Sequence, residues 1–350
     1  MDKFTRVGFH PLAEAQGLSP SRYVFGSNPQ IDQEFLMTKI RAVVVDPSVT
    51  GRLVLRDVDA PKPDPNEALV RVSAISLNRG EVRRSTAADA GWRPGWDLAG
   101  TIETPSADGS SPPQGTRVVG LLRSGAWAEV VSVPTHSLAE IPSSVSFAQA
   151  ATLPVAGLTA YHALLKGGSV LGRSVLITAA SGGVGNFAIQ LARLSGARTI
   201  AHIRRAEHEA LVKEAGAQIV VVGEDLSAAS EYGPYHLILE SVGGKILGDA
   251  LGLLAQDGVV VSFGTSGGSE VTFNASRFYG TGGASLYGFI LFHELQTESA
   301  SVGLKRLLDL VDLGQLSPHI ELEASWTEIA DIAQQLLDRR YPGKAVLHVD

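Results

Sequence analysis

The 350-residue chain contains no cysteine. Disulfides, thiolate nucleophiles and cysteine-ligated zinc are thereby excluded. No stretch approaches the roughly 20 consecutive apolar residues of a membrane-spanning helix. Positive charge is in deficit, with 29 Lys and Arg against 36 Asp and Glu and a net charge of −7. That balance argues against nucleic acid or an anionic membrane surface as the main partner. The nine histidines form no H-x-x-x-H or comparable ligand spacing. No internal repeat or low-complexity tract is present. What remains is a chain 44% apolar and 19% charged, long enough for two domains with a sizeable core.

Met1 to Leu36 carries scattered Pro, Gly, Ser and Gln without periodicity, and lacks the basic start and apolar run of a signal peptide. It is expected to be an extension or leader, outside the stretches that carry the resemblance given below. Met37 then opens Thr38-Lys39-Ile40-Arg41-Ala42-Val43-Val44-Val45, which reads as a first strand. A cytoplasmic location is expected, since nothing suggests secretion.

From Ile40 to about Ile141 the signals are short strands, such as Ala68–Val72 and Thr116–Gly120, punctuated by prolines. From Gly172 to about Ile290 the pattern alternates strand and helix. Candidate strands are Ser174–Thr178, Thr199–Ile203, Ile219–Val222, Leu237–Glu240, Val259–Ser262 and Leu286–Ile290. Repeated βα units imply a parallel, doubly wound sheet, so the fold class is α/β. The tail holds two amphipathic helices, Ser301 to Leu313 and Thr327 to Leu337. A last strand, Ala345–Val349, is placed to return to the β-rich first region.

The most informative stretch is Ser174-Val175-Leu176-Ile177-Thr178-Ala179-Ala180-Ser181-Gly182-Gly183-Val184-Gly185-Asn186. An apolar strand runs into a glycine turn. A helix-period segment follows, with Val184, Phe187, Ala188, Leu191 and Leu194 on one face. Such a turn lets backbone approach a pyrophosphate at a helix N-terminus. Its spacing departs from the simplest G-x-G-x-x-G form, and a tight strand-to-helix turn in another α/β domain is the competing explanation. An acidic residue about 20 positions further on would favour NAD. Here the second strand ends in Arg204-Arg205. Two guanidinium forks suit a 2′-phosphate and favour NADPH. The helix dipole does not account for a basic pair at a helix start.

Several stretches then form an ordered series. They are Ser76-Leu77-Asn78, Pro94-Gly95-Trp96-Asp97-Leu98-Ala99-Gly100, Gly115-Thr116-Arg117-Val118, Ala126-Trp127-Ala128-Glu129, Ala151 to Ala160, the glycine turn, Ser241-Val242-Gly243-Gly244, and Gly343-Lys344-Ala345-Val346. From about residue 38 onward the chain resembles zinc-free members of the medium-chain dehydrogenase/reductase superfamily, of the quinone oxidoreductase type. The resemblance implies a GroES-like β-rich catalytic domain (37–155 and 311–350), a Rossmann cofactor domain (156–310), and a site in the cleft between them. It implies cofactor contacts from Asn78, Thr159, Ser181, Gly182, Gly183, Val184, Gly185, Val242, Gly264, Thr265 and Lys344, besides Arg204 and Arg205. His208 stands where many relatives carry a lysine for the 2′-phosphate.

Many relatives read Asn-Tyr-x-Asp where this chain has Asn78-Arg79-Gly80-Glu81, so a tyrosine-assisted mechanism is in doubt. Asn78 and Arg79 are the catalytic candidates. Arg79 could polarise a carbonyl or bind a carboxylate, or it could be an ordinary loop arginine. Trp92 and Trp96 are candidates for a wall against a flat substrate, and Trp127 is expected in the core. Asp97 is expected to be a structural carboxylate in a turn, and no metal site is expected. The expected reaction is hydride transfer from NADPH to the β-carbon of a small quinone or α,β-unsaturated carbonyl compound, followed by protonation of the enolate. A dedicated enoyl or ketone reductase, and a cofactor-binding protein with little turnover, are the alternatives. The strand Leu286–Ile290, as the sheet edge, is expected to pair across a homodimer interface.

Overall fold

The computed structural model describes residues 39–350. Met1 to Leu36, and the Met37-Thr38 opening of the first predicted strand, lie outside the described residues. β1 (Lys39–Val45) and β2 (Leu53–Asp59) form a separate antiparallel pair. Then come β3 (Glu67–Ser76), the short helix α1 (Arg79–Ser85), β4 (Asp97–Thr104), β5 (Arg117–Leu121), β6 (Val130–Pro134) and β7 (Leu138–Glu140). Helix α2 (Phe147–Ala151) and a wide helical turn, Leu153–Gly157, lead into α3 (Leu158–Leu165).

The alternating region follows. It runs β8 (Ser174–Ile177), α4 (Gly183–Leu194), β9 (Arg198–Ile203), α5 (Glu209–Glu214), β10 (Ile219–Val222) and β11 (Tyr235–Glu240). It continues with α6 (Gly244–Leu251), β12 (Leu254–Ser262), α7 (Ala275–Gly280) and β13 (Ser285–Gly288). These six strands form a parallel sheet in the order β10-β9-β8-β11-β12-β13. The order reverses beside β8, and in such sheets ligands bind at the carboxyl ends of the strands at that reversal.

The sequence explains this sheet directly. Val175, Leu176 and Ile177 are fully buried, as a continuous apolar run in a strand covered on both faces must be. Each such burial contributes about 1.5–3 kcal/mol. Phe187, Ala188 and Leu191 of α4 are buried, but Leu194 is 39% exposed. Leu194 is the last residue of the helix, so it does not share the buried face expected of it. The edge strand also differs. It spans Ser285–Gly288 rather than Leu286–Ile290, because Phe289 turns into the core and is buried.

After β13 the chain makes α8 (Leu291–Glu294), α9 (Ala300–Asp312), β14 (Ile320–Ser325), α10 (Ile329–Leu337) and β15 (Lys344–His348). β15 returns to the first region and pairs antiparallel with β3, Val346 opposite Ser76. The second sheet has the order β14-β15-β3-β4-β5-β7, with β6 also on β3. Ala74 and Ala99 from this sheet share one core with Val175 and Ile177 from the other, and Leu304, Leu307 and Leu308 of α9 complete it. The fold is thus a GroES-like β-rich lobe packed on a Rossmann lobe.

Candidate active site

A cleft of about 890 Å³ opens at the carboxyl ends of β8, β9, β11 and β12. The catalytic and cofactor candidates singled out in the sequence all line it, from Asn78 and Arg79 to Thr265 and Lys344, whereas Trp92 does not. What each one does there follows from its partners.

α4 begins at the glycine turn, with Gly182 as its N-cap residue. The first N–H groups of a helix have no partner within it, so this end offers donors to an anion. The turn is built for close approach. A Cβ on Gly185 would lie 2.7 Å from the Ala179 carbonyl oxygen and from Ala180 Cα. A Cβ on Gly183 would lie 2.6 Å from Cδ of Lys344. The second glycine loop is shaped by Glu240, whose Oε1 accepts from the Val242 and Gly243 N–H groups at 2.6 and 2.9 Å. Glu240 is fully buried and was not singled out in the sequence.

Arg204 and Arg205 stand at the end of β9. Arg204 Nε is 3.9 Å from Glu224, and Arg205 Nη1 is 3.3 Å from Glu207. Both pairs are solvent-exposed, and such pairs are weak. His208 Nδ1 lies 3.0 Å from the Ser181 hydroxyl. Burial holds His208 below its ordinary range, so it is neutral at pH 7 and the cationic charge here comes from arginine. Arg339 joins this group from the loop before β15. It has φ +58° and donates through Nη2 to the Ser266 carbonyl at 2.6 Å. Nothing local in the sequence marks Arg339.

Beneath the glycine turn lies a buried polar cluster. Lys344 Nζ donates to the Leu77 carbonyl at 2.9 Å, Asn78 Oδ1 at 2.7 Å and Asp97 Oδ2 at 3.5 Å. An ammonium has three protons. All three are used inside the protein, so Lys344 reaches the glycine turn through its methylenes and has no donor left for a cofactor. Asn78 is equally committed. Its Nδ2 donates to Glu81 Oε1 at 2.9 Å and to Asp97 Oδ2 at 2.7 Å. With its oxygen already accepting from Lys344, Asn78 keeps one lone pair. It can accept from a ribose or substrate hydroxyl but cannot polarise a carbonyl.

Asp97 is not in a turn. It is the first residue of β4, fully buried, and its Oδ1 accepts from the Val155 N–H at 3.0 Å. Burial pushes its carboxyl up, against Lys344, Asn78 and Val155, which favour the anion. Glu81 is pushed up much further by burial and by the Asp97 charge. Its Oε1 also accepts from the Asn78 N–H at 2.8 Å, while its Oε2 is buried with no partner. Burial without a partner on that oxygen disfavours the charged carboxylate. The cluster therefore sets the Lys344 ammonium against two buried carboxyl groups, of which Glu81 is the more strongly disfavoured as an anion. Glu81 was overlooked in the sequence, although Asn78-x-x-Glu81 has the spacing of a helix capping box.

Zinc does not fit here. Lys344 Nζ already stands between Asp97 and Asn78. Among the described residues no three His, Asp or Glu side chains are grouped to hold a metal ion.

Arg79 is not a free loop arginine. It starts α1 and donates through Nη1 to the Leu336 and Leu337 carbonyls, at 3.2 and 3.1 Å, at the end of α10. That fixes its guanidinium at the cleft wall. Of the tryptophans, Trp96 lines the cleft, with Nε1 donating to the Arg123 carbonyl. Trp92 instead carries the Arg84 guanidinium 4.9 Å above its ring, and Trp127 is fully buried. Tyr341 also lines the cleft, but burial raises its phenol and its hydroxyl faces the Ile332 carbonyl.

The sequence matches two family models. One is described as an alcohol dehydrogenase GroES-like domain, over residues 64–143, and the other as a zinc-binding dehydrogenase, over residues 183–306. Among curated relatives, a probable zinc-binding oxidoreductase, mitochondrial, from Arthroderma benhamiae is 30% identical over 330 residues. The match covers 87% of this chain and 94% of that protein. Human quinone oxidoreductase is 27% identical over 294 residues, 80% of this chain and 88% of the relative. A mycobacterial protein solved as its NADPH complex superposes with a TM-score of 0.78 at 28% identity, covering 88% of this chain and 99% of that one. With its two lobes, its glycine-turn cleft and these likenesses, the chain belongs to the medium-chain dehydrogenase/reductase superfamily, as an oxidoreductase of the quinone oxidoreductase-like group.

Proposed function

We propose that the protein is an NADPH-dependent reductase of quinones or α,β-unsaturated carbonyl compounds, working without zinc on cytoplasmic NADPH. Residues 37–155 and 311–350 form its catalytic lobe and 156–310 its cofactor lobe. The observation that carries this reading is the Arg204–Arg205 pair at the end of β9, in the same cleft as the glycine turn.

NADPH, when bound, supplies the hydride. The start of α4 takes the pyrophosphate, and Arg204 and Arg205 take the 2′-phosphate through charge-assisted bonds. Val242, Gly264, Thr265 and Thr159 line the wall between. Asn78, locked by Lys344, Glu81 and Asp97, accepts one hydrogen bond from a ribose or substrate hydroxyl. Trp96, Phe289 and Leu291 present apolar surface that excludes water from the reacting carbons. The enolate left on the substrate takes its proton from bound water or a side chain of the cleft.

Binding of NADPH and NADH to the wild type and to the Arg204→Ala, Arg205→Ala double variant tests the cofactor reading. NADPH affinity should fall by about 1.5–3 kcal/mol per lost bond, with NADH barely affected. Equal wild-type affinities for the two cofactors would refute it.

The assembly proposal is a homodimer through β13. Leu286 is 47% exposed on this edge strand, and an open apolar edge invites pairing. Phe289, being buried, takes no part in that surface. Leu286→Asp should release monomers in light scattering. A wild type that is monomeric at micromolar concentration contradicts the proposal.

A further inference from the structure

Helix α1 presents two arginines to the cleft, one helical turn apart. Arg79 and Arg83 both line it, with Gly80 between them. Residues four apart lie on the same helix face. Trp96 packs onto that face, since a Cβ on Gly80 would lie 2.9 Å from its Cη2. Phe292 stands edge-on to Trp96, with ring centroids 6.0 Å apart, and also lines the cleft. The cleft beyond Asn78 is thus an apolar slot with two cations along its helical rim.

Those cations are not balanced. Arg204 and Arg205 at least have Glu224 and Glu207 beside them. Among the described residues Arg79 and Arg83 have no carboxylate partner. Arg79 is held by the two α10 carbonyls, its Nε is buried without an acceptor, and Arg83 and Arg339 add repulsion to it. Like charges gathered without a counter-ion cost stability, which a bound anion returns. The 2′-phosphate is already served by Arg204 and Arg205 in the reading above. The α1 pair is therefore left for a second anion, and the part of the cleft it rims is the apolar slot.

We propose that the reducible substrate carries an oxoanion, of the carboxylate type. Arg83 binds that group as a fork, with Arg79 as a fixed second charge, and the conjugated part of the substrate lies against Trp96. Arg83 is exposed and free to reach, and a guanidinium pairs with a carboxylate through two parallel bonds. This rests on the reductase reading and names its substrate class. Arg83 is a specificity residue, not a group that touches the reacting carbons.

The test uses two acceptors that share one enone and differ by a single carboxylate, benzylideneacetone and its para-carboxy derivative. Steady-state kinetics at saturating NADPH compare the wild type, Arg83→Ala and Arg83→Lys, with NADPH binding titrated separately. The wild type should prefer the carboxylate by about tenfold or more in kcat/KM, the size of one charge-assisted bond. Arg83→Ala should lose that preference through KM, Arg83→Lys should keep part of it, and NADPH affinity should not move. Equal kcat/KM for the two acceptors, or a preference that survives in Arg83→Ala, overturns the proposal and leaves the reductase reading standing. A fall in NADPH affinity in Arg83→Ala also overturns it, by assigning Arg83 to the cofactor phosphate. Turnover of neither acceptor overturns both.

Discussion

Lys344→Met is expected to cost about 3–5 kcal/mol of stability, the usual size when one partner of a buried ion pair is removed. Asp97 has zero exposure, and Lys344 is its cationic partner. Methionine fills the volume and keeps the methylenes under Gly183, so the loss measures charge and hydrogen bonding. Asn78 would also lose the bond that holds its amide oxygen, so activity should fall with stability. Adding Asp97→Asn should recover part of the stability, because the orphaned charge goes with it. Urea denaturation of the two variants and wild type checks this, and a single-variant loss below about 1 kcal/mol would contradict an ionised Asp97. Glu81→Gln should be nearly neutral below about pH 4, where glutamate keeps its proton in both the folded and the unfolded chain. A group raised in the folded state gives its full stabilisation below its unfolded value and loses it as pH rises through the folded one. The glutamine variant escapes that loss, so it should gain on wild type as pH rises above about 4.3, the unfolded glutamate value, and be the more stable of the two at pH 7.

Gly185→Ala should disable the cofactor site. The added Cβ meets backbone on the strand side of the turn, at 2.7 Å from the Ala179 oxygen and the Ala180 Cα, which has no rotamer by which to retreat. Either α4 moves away from β8 or the turn opens. Forcing atoms into such a site costs about 1–3 kcal/mol. A shift of the helix start also removes its N–H groups from the pyrophosphate, so NADPH affinity should drop at least about tenfold. Gly182→Ala is the control for folding, read by thermal melting, since Gly182 itself lines the cleft. Its Cβ meets only the Ala179 oxygen, at 3.3 Å, and its φ of −79° suits any residue. Thermal melting and NADPH titration of both variants decide the matter. If Gly185→Ala melts and binds like wild type, the turn is looser than its contacts imply.

The sequence determined the elements whose code is local. The apolar run Val175–Ile177, the glycines after it and the periodicity of α4 specify a strand, a turn and a helix, because each choice acts on neighbouring backbone. Arg204 and Arg205 were legible for the same reason, since they end a strand that follows that helix. The fate of Lys344 was not legible. Its partner Asn78 lies 266 residues earlier and meets it only because β15 closes against β3. That closure takes the three ammonium protons of Lys344 into the protein and leaves Asn78 an acceptor. Arg79 likewise needed α10, 257 residues on, to supply the carbonyls that fix it. Local backbone preference is written in adjacent residues. Which buried charge meets which is decided when distant strands pair, and only the tertiary structure records that.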